Sequence, residues 1–180
     1  TSRDSRIKYS ALRGPRFELV LVYHGINDAR TNNVPPELFR EDYGHYTWYE
    51  TVNLLAPYHG RAKLALPYTL RYLVLLARQS AGRDRYVPRE APRPDWVRYG
   101  SDPRSREAFR DNLEAILEVA GRRKDQVLLA TFATWLPSDY SLEAFRARRL
   151  DYGLHRTPIE DWGRREDVVG AIAAHNEVVR

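Results

Sequence analysis

The sequence contains no cysteine and no methionine. Without cysteine there is no disulfide, no thiolate nucleophile and no Cys-ligated zinc. Without methionine, Thr1 is not a translation start, so the chain is expected to be processed or to be part of something longer. Lysine is scarce: Lys8, Lys63 and Lys124 are the only lysines among 29 basic residues, so arginine carries the positive charge. Long apolar runs are missing as well. Leu19–Tyr23 and Tyr72–Ala77, the longest, fall far short of the ~20 residues a bilayer span requires. No membrane span is expected within the chain, and Thr1 opens no leader pattern. Any signal or anchor would lie upstream of Thr1, which leaves the compartment open.

The rest of the composition is that of a globular protein. A length of 180 residues with 43% hydrophobic side chains suits one domain with a real core. The 29 basic and 24 acidic residues leave a net charge of +5. They are interleaved, as in Arg83-Asp84-Arg85 and Arg104–Asp111, rather than gathered into a basic stripe with stacking aromatics. No nucleic-acid partner is expected.

Two apolar runs read as buried parallel strands: Phe17–Tyr23 and Gln126–Ala133. Ile7–Leu12 reads as a short helix stopped by Gly14-Pro15. Pro35-Pro36 can open a helix that carries Phe39, Tyr43 and Tyr46 at helical spacing, with Trp48, Tyr49 and Val52 behind them. Pro67 can open another, with Leu70, Leu73, Val74 and Ala77. Gly82–Pro103 is rich in proline and irregular. Asp102-Pro103 looks like a cap leading into a helix whose face is Phe109, Leu113, Ile116, Leu117 and Ala120, closed by Gly121. Residues 138–163 read as loop with short helical pieces. Asp167–Arg180 is amphipathic, with Val168, Ile172 and Val179 on one side, and reaches Arg180 without a stop signal.

The helix Pro103–Ala120 feeding the strand Val127–Ala133 is the second half of a βαβ crossover. A crossover needs a dozen or more residues; the interval from Asn27 to Gln126 far exceeds that. Residues 30–102 therefore read as an insertion within a single domain, 1–180. It leaves from the carboxyl end of the first strand, the edge where open parallel sheets bind ligands. The insertion is expected to wall or cover the site.

At that edge stands Tyr23-His24-Gly25-Ile26-Asn27-Asp28. Gly25 permits a tight turn and close backbone approach. Asn27 offers an amide donor that could stabilise a developing oxyanion. Asp28 can cap the next turn. A plain strand-ending turn explains the same residue types. His24 could face this site or the insertion. Trp135, just after the second strand, should emerge on the same edge and either line a pocket or pack under its loop. Asp42-Tyr43-Gly44-His45 places a carboxylate and an imidazole three residues apart, so His45 could act as a held base, line the pocket or be structural. The Phe39, Tyr43, Tyr46 stripe suits core between insertion and sheet. His155 and His175 lack metal-ligand spacing, and neither a phosphate-cradling loop nor a dinucleotide fingerprint is present. No metal and no cofactor is expected.

Leu19–Asp28, reading Leu-Val-Leu-Val-Tyr-His-Gly-Ile-Asn-Asp, resembles the Gly-x-Asn-Asp block of the SGNH (GDSL-type) hydrolases. Thr1-Ser2-Arg3-Asp4-Ser5 followed by Leu12 resembles the helix after that family's second block. Arg106–Ala120, Val127–Ala133 and His175–Arg180 follow in the family's order. The resemblance implies a flavodoxin-like three-layer α/β/α sandwich around a parallel sheet, with serine-dependent hydrolysis of esters. Glycan acetyl esters, acyl esters, lysolipids and thioesters are all substrates of the kind it implies. Asn27 takes the place of the oxyanion-hole amide, with Gly25 and Asp28 as its supports; His24, His45 and Trp135 are the candidate pocket residues. No serine here stands in a Gly-Asp-Ser context. The family order would put the second-block glycine before Thr1 and the Asp-x-x-His pair after Arg180. The nucleophile and the base are therefore expected outside these 180 residues. A non-catalytic binding module of the same fold is the alternative.

Overall fold

The computed structural model describes residues 1–56, 65–88 and 91–180. Parts of the segment 30–102, residues 57–64 and 89–90, lie outside the described residues. Among the described residues seven helices, α1 Ser2–Ala11, α2 Ile26–Ala29, α3 Thr47–Leu55, α4 Ala65–Ala81, α5 Ser105–Arg123, α6 Leu142–Arg146 and α7 Arg165–Val179, accompany two strands, β1 Leu19–Tyr23 and β2 Gln126–Ala130. The strands pair in parallel, Leu19 opposite Gln126 through Tyr23 opposite Ala130. The chain is thus a mixed α/β protein in which β1 and β2 are joined by a crossover that ends in α5.

Alternation decides what each strand buries. Val20, Val22, Val127 and Leu129 point to one face and pack with Tyr9 of α1, with Phe109, Leu113 and Ile116 of α5, and with Val178 and Val179 of α7. Leu19, Leu21, Tyr23 and Leu128 point to the other and are exposed. The expectation of strands buried on both faces is corrected: among the described residues only one face of the sheet is covered. Both strands are also shorter than their apolar runs, because Phe17 and Phe132 leave the ladder. Asp125 takes the Phe17 N–H at 2.8 Å, and the Asn176 amide pairs with both backbone groups of Phe132.

The helices follow their apolar periods with corrections at the ends. α1 begins at Ser2, earlier than Ile7, because the Asp28 carboxylate receives the Ser2 N–H, the first of the helix. α5 runs through Gly121 and ends on Lys124, whose φ of 60° supplies the left-handed cap. Asp102 does not cap it; its carboxylate pairs with Arg104 at 3.4 Å. Leu117 lies on the exposed side of α5, away from Phe109, Leu113 and Ile116.

The helix expected after Pro35-Pro36 does not form. A single 3-10 turn, Pro36–Leu38, is followed by turns in which Tyr43 takes a φ of 57°. Side chains capture the N–H groups a helix would need: the Asp42 carboxylate takes that of Gly44 at 2.8 Å, and His45 Nδ1 takes that of Arg40 at 3.0 Å. The aromatic residues still reach a core. Tyr43, Tyr46, Tyr49 and Trp96 cluster with Val34, Val52 and Val87, packed against Ala108 of α5 and Ile7 of α1. A third cluster joins Ala29, Tyr140, Phe145 and Ile159 to Val168 and Ile172 of α7.

Candidate functional site

At the carboxyl end of β1 the chain enters α2 through Gly25. A β-carbon on Gly25 would lie 2.7 Å from Phe132 Cβ and 2.9 Å from its Cγ, so close packing against the segment after β2 requires glycine here. Asn176 holds Phe132 in place from α7: its Oδ1 accepts the Phe132 N–H at 2.7 Å and its Nδ2 donates to the Phe132 carbonyl at 3.0 Å.

Asp28 is fully buried and does not cap its own turn. Its carboxylate accepts the Ser2 N–H at 3.1 and 3.2 Å, the Ser2 hydroxyl at 2.5 Å and the Tyr43 hydroxyl at 3.1 Å. Ser2 Oγ in turn accepts from Asn112 of α5 at 3.1 Å. A carboxylate at the amino end of α1 is also favourably placed in the helix dipole. Burial, reinforced by the Asp28 charge, raises the Tyr43 phenol well above its ordinary value and keeps it a donor. One aspartate thereby fixes the start of α1, the turn after β1 and the aromatic core.

Asn27 faces outward beside this clamp. Trp162 Nε1 donates to its Oδ1 at 2.9 Å. An indole can only donate, so this bond sets the amide orientation and turns its two N–H donors away from the tryptophan. Asn27 lines a cleft of about 390 Å³ with Arg30, Tyr46, Trp48 and Tyr49. Arg30 donates to the Tyr46 hydroxyl at 2.9 Å and to the Asp161 carbonyl, and its guanidinium lies 5.4 Å over the Trp162 ring. The Thr1 nitrogen donates to Tyr49 at 3.0 Å, which brings residue 1 to the same wall. The cleft therefore combines an oriented amide, a cation and three aromatic rings. Tyr46, Trp48 and Tyr49 come from the segment 30–102.

The other sequence-predicted residues stand elsewhere. His24 is half-buried and lines a separate, mainly apolar cleft of about 240 Å³ with Lys8, Tyr9 and Leu12. Burial lowers its pKa. His45 is buried, with Nδ1 accepting from Arg40 and Nε2 donating to the Thr31 carbonyl at 2.8 Å. The carboxylate of Asp42 binds Arg40 and Gly44 instead of His45. Trp135 is 71% exposed and lines a third cleft, with Asp139, Arg149 and Tyr152. A larger cleft, about 650 Å³, lies beside α4 among Gln79, Arg83, Tyr86 and Arg93, and contains none of these residues. The structure thus keeps Gly25, Asn27 and Asp28 together and separates them from His24, His45 and Trp135.

Two arrangements escaped the sequence reading. Trp162 and Arg30 orient the cleft, but 135 positions separate Trp162 from Asn27 and no local pattern links them. Ser105 and His175 form a serine–histidine pair, Oγ to Nε2 2.8 Å. Asn32 donates to the same Oγ at 2.9 Å and accepts the Ser105 N–H at 2.8 Å. Burial lowers the His175 pKa and keeps the ring neutral. Ser105 and His175 are both fully buried, and Phe109 stacks on the imidazole at 4.5 Å. No substrate can reach this hydroxyl, and the pair acts as a rivet between α5 and α7. Among the described residues no group of three or more histidines and carboxylates could hold a metal.

Comparison of the chain with protein-family models, with curated proteins and with solved structures returns no match.

Proposed function

We propose that this chain belongs to an SGNH-type serine hydrolase that cleaves ester bonds, with Asn27 donating to the oxyanion of the tetrahedral intermediate. The observation that carries the reading is the setting of Gly25-Ile26-Asn27-Asp28. The block follows the carboxyl end of a parallel strand, its asparagine is held at the rim of a cleft by Trp162, and its aspartate is tied to Ser2. A preoriented amide stabilises developing negative charge without reorganisation at the moment of reaction.

The attacking serine and the histidine base belong, on this proposal, to polypeptide outside residues 1–180. Gly25 and Asp28 hold the Asn27 turn, and Arg30 adds positive charge beside it. Aromatic walls from Tyr46, Trp48 and Tyr49 favour an acyl or sugar ester over a small charged substrate. The full fold is a three-layer sandwich. The bare face of Leu19, Leu21, Tyr23 and Leu128 supports a further layer, since an apolar face of this kind is unfavourable in water. A non-catalytic binding module of the same fold is the second reading, favoured by the sealing of Ser105 and His175 away from solvent.

The test uses the full-length gene product, a fluorophosphonate probe and a chromogenic acyl ester. A single adduct on a serine outside residues 1–180, with ~10²–10³ loss of kcat in Asn27→Ala, is the expected result. Absence of both adduct and ester cleavage leaves the binding module. An adduct with full activity in Asn27→Ala removes the oxyanion role.

A further inference from the structure

Helix α4 is held to the rest of the protein along one side. Leu75 and Gln79 are buried there, and Tyr68 and Tyr72 are half-buried. Among the described residues its main neighbour is α3, to which Gln79 donates at the Thr47 carbonyl and the Glu50 carboxylate, 3.1 Å each. A helix that docks by one side normally presents polar residues on the other. This one does not. Leu66, Leu70, Leu73, Val74 and Ala77 recur at the spacing of a single helical stripe, roughly opposite the docking side. Leu66 is 69% exposed, Leu70 55%, Leu73 54% and Val74 69%. Arg71 and Arg78, one heptad apart, are exposed along one border of the stripe, and Arg83 and Arg85 follow just beyond the helix.

Within α4 itself the charged residues are of one sign, Arg71 and Arg78, and Arg78 also pairs with Glu50 of α3 at 3.7 Å. From Thr51 to Arg83 the sequence has no aspartate or glutamate, yet it contains Arg61, Lys63, Arg71, Arg78 and Arg83. The surrounding chain mixes acids and bases freely, so the gap in acids coincides with the apolar ridge. Among the described residues no helix, α4 included, is long and apolar enough to cross a bilayer.

We propose that α4 is a surface-seeking helix that lies on anionic lipid bilayers, its Leu66–Val74 ridge entering the acyl boundary while its arginines meet the headgroups. An amphipathic helix with basic borders and an aliphatic face binds in this way, and each basic residue near an anionic surface adds to the attraction. The shape favours lipid over a protein partner. The stripe is a convex ridge of aliphatic side chains, without the exposed aromatic anchors of a protein hot spot, and a deformable lipid surface receives a convex ridge without needing a matching groove. The proposal is independent of the ester-hydrolase reading, because vesicle binding is measured without substrate.

The experiment is flotation of the full chain with vesicles of phosphatidylcholine alone and of phosphatidylcholine mixed with phosphatidylglycerol, at low and high salt. Binding to the anionic vesicles, weakened by salt, is the expected result. Leu70→Asp combined with Val74→Asp should weaken it tenfold or more. Arg71→Glu with Arg78→Glu should weaken it about fivefold or more per arginine. Circular dichroism and the thermal midpoint verify that the variants fold, which the exposure of all four side chains allows. Absence of flotation at low salt overturns the proposal, and so does equal flotation by the folded Leu70→Asp, Val74→Asp variant. Loss of self-association in that variant, without vesicle binding by the parent, assigns the ridge to a contact between copies of the chain and overturns it too.

Discussion

Trp162 and Asn27, far apart in the chain, meet through one hydrogen bond: the indole Nε1 donates to the amide Oδ1 at 2.9 Å. Arg30 lies over the same indole at 5.4 Å, and Asn33 donates to the Trp162 carbonyl at 2.7 Å. The tryptophan is therefore a fixed post and the asparagine is the group it steers. Trp162→Phe keeps the ring and removes the donor. Its stability should fall by about 1 kcal/mol, the net worth of one hydrogen bond. The Asn27 side-chain amide signals in a nitrogen–proton spectrum should shift and broaden as the amide gains freedom. Unchanged Asn27 signals would show that the indole does not orient it. On the proposed ester-hydrolase reading, the same variant of the full-length gene product should lower kcat with little effect on KM, because a mis-set oxyanion donor acts only in the transition state.

Asp28 accepts hydrogen bonds from Ser2 and Tyr43 in a fully buried setting. Asp28→Asn replaces an acceptor-only group by one that brings two donors of its own into a site already filled with donors. A loss of about 2–4 kcal/mol is expected, the usual range for breaking a buried charged hydrogen-bond set. Ser2→Ala should cost about 1–2 kcal/mol. The two should be far from additive, since they remove the same contact, and a double-mutant cycle in urea measures that coupling. Additive losses would mean that the Ser2–Asp28 contact carries no coupling energy.

Gly25 lies against Phe132 with no room for a β-carbon. Phe132 cannot retreat freely, because Asn176 holds its backbone at both the N–H and the carbonyl. Gly25→Ala is expected to cost about 1–3 kcal/mol, as overpacking does. Asn176→Ala frees the neighbour, so the second Gly25→Ala step should cost less in that background. Urea denaturation of the four proteins checks it; an equal cost in both backgrounds would separate the glycine from the Asn176 clamp.

The parts of the fold that the sequence announces are those set by local periodicity. β1, β2, α5 and α7 carry their own apolar patterns, and even the parallel pairing follows from the crossover. The segment Pro35–Tyr46 misleads because its aromatic spacing is helical while Asp42 and His45 side chains take the backbone donors. The candidate site divides in the same way. Gly25, Asn27 and Asp28 are contiguous and stand out as a motif. Arg30 follows them two residues on without any pattern that marks it, and Trp162 and Tyr49 join them only through tertiary folding. His45 shows the limit of pattern: its spacing from Asp42 suits a catalytic pair, but each side chain satisfies a different part of the backbone.

His45 also makes the fold sensitive to acid. In the folded protein Nε2–H is committed to the Thr31 carbonyl and Nδ1 to the Arg40 N–H. A proton on Nδ1 would face that N–H and break the bond. Burial, more than the nearby Arg104 and Arg40 charges, lowers the pKa from 6.5 to about 4, against the opposing pull of the Thr31 carbonyl and Asp42. Between those values the unfolded chain binds a proton at His45 and the folded chain does not. Stability contributed by neutral His45 is therefore complete above the unfolded pKa and is lost as pH falls toward the folded one. Over that window the loss amounts to about 3 kcal/mol. His175, lowered by burial as well, acts in the same direction. Urea midpoints should fall steeply from about pH 7 to about pH 4.5, and His45→Asn should flatten part of that slope while lowering stability at neutral pH. A parent and variant with parallel pH profiles would place the acid sensitivity at other groups.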